Sequence, residues 1–395
     1  MKLKITDMNL DNSTVLVRVD YNVPIKDNKI INDNKIKASL ETINYLKEHN
    51  AKIILMSHFG KVKTEDDKKN NTLLPVAAHL STLLNEDVIF YKEDKTKIYK
   101  VIKSMKPKQV MVLENTRFED LNGKLESNCD IQLSMYYAGL ADVFINDAFA
   151  SSHRVHASVC GVAKYLPSAL GFNFIKEIEN LNKLINDPEK PFTIIMGGAK
   201  AESKIPLIKS LIDKCDYLLL SGCIANTFLK SLNINVGFSN VYNEGLENCK
   251  ELLIKYKDKI NLPLDAIVGN KYDNNYSDYK LINEIDDNDV IYDIGPKTIT
   301  KYKNMILNSK TIFLNGTMGV YEDMKFANGT KETLNNIDTS NAFTVVGGGD
   351  SVSAVQLFKY TDKFDYISTG GGATLEYLIN KTLPGIDVIK EVENE

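Results

Sequence analysis

Short β-branched runs alternate with longer amphipathic stretches along almost the whole chain, and this alternation limits the fold more than any other feature. Repeated strand–helix units of this kind build parallel sheets covered by helices. Spacings of three and four between apolar residues predict helices at 36–48, 75–84, 95–105, 130–140 and 171–185. Strands are predicted at 14–19, 52–57, 88–91, 109–113, 142–146, 192–196, 217–220, 266–268, 290–294, 311–314, 343–346 and 366–368.

The length of 395 residues is sufficient for two domains. We therefore predict two doubly wound, Rossmann-like α/β lobes joined by the helix at 171–185. The polar segments 63–71 and 270–279 are interpreted as surface loops or short excursions.

Composition and charge exclude several classes of protein. The chain has 48 Lys and Arg against 52 Asp and Glu, a net charge of −4 that argues against nucleic acid as a partner. No apolar run approaches the ~20 residues of a membrane span, and residues 1–14 lack the apolar core of a secretory signal. The five cysteines are scattered and form no C-x-x-C pair, which favours a reducing, cytoplasmic compartment.

Arginine is scarce, since only Arg18, Arg117 and Arg154 occur among the 48 basic residues. Arginines that remain in such a chain are candidates for positions that need a planar, multi-donor group to bind carboxylate or phosphate. Retention by chance is the alternative. Arg18 lies within a predicted strand, where a structural ion pair is the better interpretation.

Polar side chains collect where the strands of the first half end. In open parallel sheets this edge binds ligands. Lys35 lies in the loop before the helix at 36–48 and can reach the same edge. The set suits a small anion with hydroxyl groups, and its members are Asp20, Asn22, His58, Lys61, Asn115, Arg117, Asp147, His153, Arg154 and His156. Each residue also has a structural interpretation, such as a turn cap, a core histidine or an ion pair of Arg117 with Glu119.

Glycine clusters follow three strands of the second half, at 197–198, 347–349 and 370–372, and each precedes a helical pattern. Glycines allow backbone N–H groups to approach phosphate oxygens, and a helix N-terminus favours negative charge. Lys200 and Lys204 can neutralise phosphate, and Asp350 is suited to Mg²⁺ held with substrate phosphates. Tight strand-to-helix turns are the alternative explanation of the glycines.

Three familiar motifs are absent: G-x-x-x-x-G-K-[ST], G-x-G-x-x-G and the H-R-D of protein kinases. A P-loop ATPase is therefore excluded and a hydride-transferring dehydrogenase is disfavoured. A nucleotide site in this chain must be of another kind.

Taken in order, the motifs resemble those of the phosphoglycerate kinase family over nearly the whole chain. The segments that carry the resemblance are VRVDYNVP (17–24), MSHFG (56–60), ENTRF (114–118), NDAF (146–149), HRVH (153–156), GGAK (197–200), NGTMGV (315–320), GGGDS (347–351) and STGGGA (368–373).

The resemblance implies a monomeric glycolytic and gluconeogenic enzyme that moves phosphoryl reversibly from 1,3-bisphosphoglycerate to ADP, giving 3-phosphoglycerate and MgATP. It implies a glycerate-binding lobe at 1–170, an interdomain helix at 171–186, a nucleotide-binding lobe at 187–370 and a segment at 371–395 that packs back on the first lobe. Because the two substrates would bind on separate lobes, we expect the lobes to close about the helix during transfer.

The resemblance also assigns site residues. It implies a glycerate site of Asp20, Asn22, Lys35, His58, Lys61, Arg117 and Arg154, and a catalytic set of Lys35, Lys200 and Gly349. It implies a nucleotide site of Gly198, Lys200, Lys204, Gly222, Asn315, Glu322, Gly348, Gly349, Asp350 and Ser351, with Asp350 serving Mg²⁺.

Four positions depart from the family pattern: Lys35 and Lys61 replace arginines, Thr317 replaces a proline, and Cys223 lies in an altered glycine-rich segment. Lysine keeps the charge of arginine but loses its planar, multi-donor geometry. We expect retained activity, with Lys35 as a point-charge substitute. A weakened paralogue that only binds nucleotide is the alternative.

Overall fold

A computed structural model describes residues 2–27, 29–92, 95–271 and 273–392, and describes Asn274 and Asn275 by their backbone alone. The chain forms two compact units. The first comprises Met1–Glu179 with Thr382–Glu395, and the second comprises Asn180–Lys381. None of the described helices is long and apolar enough to cross a bilayer.

The first unit is built on a six-stranded parallel sheet with the strand order β5-β6-β4-β1-β7-β8. A two-stranded hairpin, β2–β3, stands apart from it. The strands are β1 (Thr14–Arg18), β2 (Ile25–Lys26), β3 (Lys29–Ile30), β4 (Lys52–Met56), β5 (Val88–Tyr91), β6 (Val110–Leu113), β7 (Val143–Asn146) and β8 (Ser168–Leu170).

Helices flank this sheet because the central strands bury both of their faces, which only a helical layer on each side can cover. Ile43, Leu46, Val76 and Leu80 face the sheet and are fully buried. The helices are α1 (Asn34–Ala38), α2 (Leu40–Glu48), α3 (Asp67–Asn70), α4 (Leu74–Leu84), α5 (Ile98–Ser104), α6 (Ile131–Ala138) and α7 (Phe172–Ile185).

The second unit contains another six-stranded parallel sheet, with the order β11-β10-β9-β15-β16-β17, and a separate three-stranded antiparallel sheet, β13-β12-β14. Its strands are β9 (Phe192–Met196), β10 (Tyr217–Leu220), β11 (Ile260–Asn261), β12 (Asp265–Asn270), β13 (Asp273–Leu281), β14 (Asp289–Ile294), β15 (Thr311–Asn315), β16 (Phe343–Val346) and β17 (Tyr366–Ile367).

The helices of the second unit are α8 (Lys204–Leu211), α9 (Gly222–Ser231), α10 (Leu246–Tyr256), α11 (Pro296–Leu307), α12 (Asn328–Thr339), α13 (Gly349–Leu357) and α14 (Gly372–Asn380). The short α15 (Pro384–Asp387) belongs to the first unit. Short 3₁₀ turns lie at Ile5–Asp7, Thr116–Asp120, Phe149–Ser151, Val162–Lys164, Asn243–Gly245, Ile282–Glu284, Met324–Phe326 and Thr361–Lys363, and a π turn lies at Ala157–Gly161.

Three sequence interpretations are wrong. The polar segment 270–279 is not a loop, because its residues from Asp273 onward belong to β13, an edge strand of the antiparallel sheet. The predicted strands 266–268 and 290–294 belong to that sheet, as β12 and β14, rather than to the parallel one. An exposed edge strand has no buried face to give an alternating pattern, so its polarity resembles that of a loop. The single helix predicted at 36–48 is two helices that meet at Ser39.

The predicted fold class is confirmed, with two parallel-sheet α/β units, a connecting helix and a chain end that returns to the first unit. The boundary between the units falls inside α7, at Glu179, and the return begins at Thr382. The boundaries of the functional lobes remain a prediction.

Candidate functional site

The first unit collects its charged and polar side chains beyond the carboxyl ends of its strands. Asp20 follows β1 and is nearly buried, and its Oδ2 accepts a hydrogen bond of 2.7 Å from Lys35 Nζ on α1. Burial alone would raise the pKa of Asp20, but Lys35 and His58 hold it below its ordinary value. The carboxylate is therefore ionised, and it orients a lysine at the sheet edge.

His58 follows β4 at the same edge. Its Nδ1 lies 3.2 Å from Arg18 Nη2, and the guanidinium of Arg18 is fully buried. Burial, with the neighbouring charges of Arg18, Arg117 and Lys35, lowers the pKa of His58 to about 3 against the opposing effect of Asp20. At neutral pH the imidazole is uncharged, so it offers a hydrogen bond rather than a charge.

Asn115 holds the loops of this edge together. Its Oδ1 accepts from the backbone N–H groups of Phe59 (2.9 Å) and Arg117 (3.0 Å), and its Nδ2 donates to the carbonyls of Phe59 (2.7 Å) and Asn71 (2.8 Å). The Nε of Arg117 is buried and lacks a hydrogen-bond partner among the described residues. A buried donor without a partner is costly, and an anionic ligand would satisfy it.

The remaining predicted residues of this edge differ in their surroundings. Asn22 is exposed, and its Oδ1 accepts from the N–H of Gly60 at 3.0 Å. Arg154 Nε contacts His153 Nε2 at 3.2 Å. Burial, with the charges of Arg18, Arg154 and Arg117, lowers the pKa of His156 to about 4. Lys61 is exposed and forms no ion pair with any residue that the structure describes.

In the second unit a buried lysine lies where β15 ends. Lys204, the first residue of α8, donates to the side-chain and backbone oxygens of Asn315 at 2.6 and 3.1 Å. Burial lowers the pKa of Lys204 to about 8, although Asp350 favours the charged form. Lys200 is exposed, and its charge also lowers the pKa of Lys204.

The glycines around this lysine permit backbone conformations that other residues rarely adopt. Gly348, with φ +93°, caps α13, and a Cβ there would lie 2.8 Å from Asn315 Nδ2. A Cβ on Gly222 would lie 2.7 Å from the carbonyl oxygen of Gly198. Ser351 Oγ accepts from the N–H of Gly316 at 2.5 Å, which ties α13 to the end of β15. Gly349 and Asp350, the first two residues of α13, are exposed, so the N-terminus of this helix is accessible to a phosphate group.

A cavity of about 280 Å³ lies beside the N-terminus of α13, within the second unit. Gly198, Gly222, Glu322 and Asp350 line it together with apolar side chains such as Met318. Asp350 and Glu322 are both exposed. A cavity of this size, apolar inside and polar at its edge, is suited to the base of a nucleotide whose phosphates reach Lys204.

Comparison with known proteins assigns the chain to one family. The model of the phosphoglycerate kinase family matches residues 5–381. The phosphoglycerate kinase of Fusobacterium nucleatum is 45% identical over 395 residues, covering 98% of this chain and 99% of its own, and that of Finegoldia magna is 47% identical over 398 residues, covering 99% of each. The chain belongs to the phosphoglycerate kinase family. The structure of phosphoglycerate kinase from Coxiella burnetii matches with a TM-score of 0.87 at 36% identity, covering 98% of both chains.

Membership of the phosphoglycerate kinase family confirms what the motifs predicted about the family and about a phosphotransferase enzyme. The individual site residues remain predictions. The structure does bring the predicted nucleotide residues together, since Gly198, Gly222, Glu322 and Asp350 share one cavity and Lys204 contacts Asn315.

Sequence reasoning missed Asp293, a buried carboxyl that lines the cavity from the end of β14. Burial raises its pKa to about 7, although the N–H groups of Gly329 and Ile294 stabilise its carboxylate. The one signal was an aspartate within an otherwise apolar strand pattern. Two of the departures from the family pattern, Thr317 and Cys223, also line this cavity, and burial raises the pKa of the Cys223 thiol.

The described residues contain no cluster of three His, Cys, Asp or Glu side chains that could hold a metal unaided. Mg²⁺ usually takes one or two carboxylates and completes its coordination with water and substrate phosphates. Asp350 is exposed in the first turn of α13, beside the cavity, so it fits that mode of binding.

Proposed function

We propose that this chain catalyses reversible phosphoryl transfer from 1,3-bisphosphoglycerate to ADP, giving 3-phosphoglycerate and ATP. The observation that carries the proposal lies in the second unit, where Lys204 contacts Asn315 and where Asp350, at the N-terminus of α13, lines the 280 Å³ cavity. Curated relatives that match almost the whole chain are named phosphoglycerate kinases, which supports the same reaction.

The edge of the first unit suits the glycerate. Lys35, Arg117 and Arg154 supply positive charge for its phosphate and carboxylate groups, while Asp20 and Asn22 can accept hydrogen bonds from a hydroxyl group. His58 adds an uncharged donor, since its lowered pKa keeps it neutral in the physiological range.

The second unit suits the nucleotide. The cavity would take the base and ribose, with Glu322 at the ribose hydroxyls, and the phosphates would reach Lys204 and the N-terminal N–H groups of α13. Gly349 opens that helix and has no atom within 4 Å of where a Cβ would lie, so its backbone is accessible to phosphate oxygens. Exposed Lys200 is free to follow the transferred phosphoryl group.

Transfer to 3-phosphoglycerate needs no general base, because the attacking group is a carboxylate that is ionised at neutral pH. The protein must instead align two polyanions and spread the charge of the moving phosphoryl group, which cations and helix N-termini do. Mg²⁺ bound to the nucleotide phosphates would neutralise part of that charge, and Asp350 is the side chain that would hold it.

The test is a coupled assay of the purified chain with 3-phosphoglycerate and MgATP. We expect turnover that requires both substrates and Mg²⁺. Lys200→Ala should abolish it, whereas Lys230→Ala, an exposed lysine at the end of α9, should leave it unchanged. Nucleotide binding without turnover would contradict the proposal and favour a weakened paralogue.

We also propose that binding of both substrates closes the two units about α7, because an in-line transfer needs reacting atoms in contact. Small-angle X-ray scattering should show a smaller radius of gyration with both substrates than with either alone. An unchanged radius would contradict closure.

A monomer in the cytoplasm fits this role, and the five cysteines are all free thiols, as a reducing compartment requires.

A further inference from the structure

Arg18 lies at the end of β1 with its guanidinium fully buried, so every contact that it makes is with protein. Its Nε donates to Ser158 Oγ at 2.9 Å, its Nη1 donates to the carbonyl of Val19 at 2.5 Å, and its Nη2 lies 3.2 Å from His58 Nδ1. One face of the arginine therefore contacts the predicted acid-binding edge, and the other contacts the π turn Ala157–Gly161.

The contact with Arg18 fixes the protonation state of His58. A guanidinium has only donors, so His58 Nδ1 must accept the hydrogen bond. A histidine that accepts at Nδ1 is neutral and carries its proton on Nε2. The charges that face His58 are those of Arg18, Asp20, Arg117 and Lys35, and three of these four oppose a positive imidazolium.

Ser158 and Glu126 hold Arg18 in that orientation. Ser158 Oγ accepts from Arg18 Nε and donates to Glu126 Oε1, while the Ser158 N–H donates to Glu126 Oε2 at 3.1 Å. Glu126 is fully buried, and burial raises the pKa of its carboxyl, whereas the charge of Arg18 favours the carboxylate, the counter-charge that a buried guanidinium needs. Glu126, Ser158, Arg18 and His58 thus form one chain of hydrogen bonds, which we call the buried relay.

We infer that Ser158 and Glu126 are positioning residues of the acid-binding site, which act through Arg18 to keep the Nε2–H of His58 available to the substrate anion. The inference deepens the proposed function and rests on it for the identity of the acid. The physical advantage is that His58 gains a donor for the anion without adding another buried positive charge to an edge that already holds Lys35 and Arg117.

A purely structural ion pair is the competing explanation, in which Glu126 and Arg18 only fasten β1 to the π turn. That explanation predicts a loss of stability when the relay is broken, but it predicts no change in the tautomer of His58. Long-range ¹H–¹⁵N correlation spectra distinguish the two imidazole tautomers directly. The chain has five histidines, so a His58→Asn spectrum suffices to assign the signal.

The experiment compares the wild-type chain with Ser158→Ala. In the wild type at pH 7 we expect His58 to be neutral and in the Nε2–H form. Ser158→Ala removes the acceptor of Arg18 Nε, so we expect a mixture of His58 tautomers. We also expect the KM for 3-phosphoglycerate to rise about 3- to 10-fold, the equivalent of one hydrogen bond, while the KM for MgATP changes less than about twofold.

The matched control is Ser134→Ala, which removes another buried serine of the first unit. The hydroxyl of Ser134 donates to the carbonyl of Asp130 and lies outside the buried relay. We expect Ser134→Ala to lower the free energy of unfolding by about as much as Ser158→Ala does. It should change neither the His58 signal nor the KM for either substrate. If Ser158→Ala does not fold, Glu126→Gln provides the second test of the same relay.

A wild-type His58 that is protonated or in the Nδ1–H form would overturn the inference. An unchanged tautomer and an unchanged KM for 3-phosphoglycerate in the folded relay variant would overturn it as well. The spectra need no catalysis, so they test the relay even in a chain that fails the coupled assay, and the two proposals can fail separately.

Discussion

Lys35 provides a positive charge at the carboxyl edge of the first sheet, from the short helix α1. Its Nζ lies 2.7 Å from Asp20 Oδ2, so its charge is already oriented at the sheet edge. Removing a charged hydrogen-bond donor to a ligand costs about 1.5–3 kcal/mol. We therefore predict that Lys35→Ala lowers kcat/KM for 3-phosphoglycerate about 10- to 100-fold in steady-state assays.

Lys37→Ala is the matched control for this prediction, because it removes a lysine two residues along the same helix. Lys37 pairs with Asp33 at 3.0 Å and is largely exposed, so its loss should change kcat/KM less than about twofold. Equal effects of the two substitutions would assign the loss to α1 as a whole. Unchanged turnover in Lys35→Ala would remove Lys35 from the catalytic set.

Lys204 connects nucleotide binding to pH. Burial lowers its pKa to about 8, so its charge disappears as the pH rises through 8. Above that pKa the protonated fraction falls about tenfold per pH unit. We predict that the KM for MgATP rises up to about tenfold between pH 7 and pH 9, measured in the coupled assay with both substrates varied.

A Lys204→Gln variant isolates this effect, since it should bind MgATP weakly at every pH and lose the rise between pH 7 and 9. We propose that 3-phosphoglycerate binds to the other unit, so its KM should not follow the same curve. A flat KM for MgATP in the wild type would show that Lys204 does not bind phosphate through its charge.

At the scale of elements, the turn between β16 and α13 depends on Gly348. A Cβ at this φ of +93° would be strained and would press on Asn315 Nδ2, which donates to the carbonyl of Gly347 at 2.9 Å. We predict that Gly348→Ala lowers the free energy of unfolding by about 1–3 kcal/mol and raises the KM for MgATP, measured by denaturant unfolding and steady-state kinetics.

Gly372→Ala serves as the control, because Gly372 lies at the start of α14, another helix of the second unit, but has no atom within 4 Å of a Cβ and no positive φ. Its unfolding free energy should stay the same or rise by about 0.4–1 kcal/mol. Equal destabilisation by both alanines would argue against a special conformation at Gly348.

The elements show which parts of the molecule a sequence can predict. Strands such as β9 and β15 are buried on both faces and bounded by glycine or asparagine, so their β-branched runs are visible in the sequence. The edge strand β13 is mostly exposed and polar, and its register depends on pairing with β12, which no local pattern records.

The same contrast holds in the site. The sheet-edge rule finds Asp20, His58 and Arg117, because their position after a strand is a local property. The rule cannot find Glu126, because the hydrogen bonds that connect Glu126 to Arg18 run through Ser158. Ser158 lies 32 residues after Glu126 in the chain. Buried hydrogen-bond chains of this kind depend on tertiary packing, and no spacing in the sequence predicts them.

At the scale of the whole molecule, each unit has its own core. One core surrounds Val17, Ile53 and Val112 of the first sheet, and another surrounds Ile195, Leu314 and Val346 of the second. Each unit therefore has the apolar burial that an independent opening equilibrium requires. This independence makes the proposed division of substrates between the units testable.

Native-state hydrogen exchange measures that division, because a ligand slows exchange in the segments that it stabilises. We predict that 3-phosphoglycerate alone protects Thr116–Asp120 and α1 of the first unit, whereas MgATP alone protects α8 and α13 of the second. Inorganic sulfate at matched ionic strength is the control for non-specific anion effects. If either substrate alone protected both sets equally, the assignment of one substrate to each unit would be wrong, since a ligand can only stabilise the structure to which it binds.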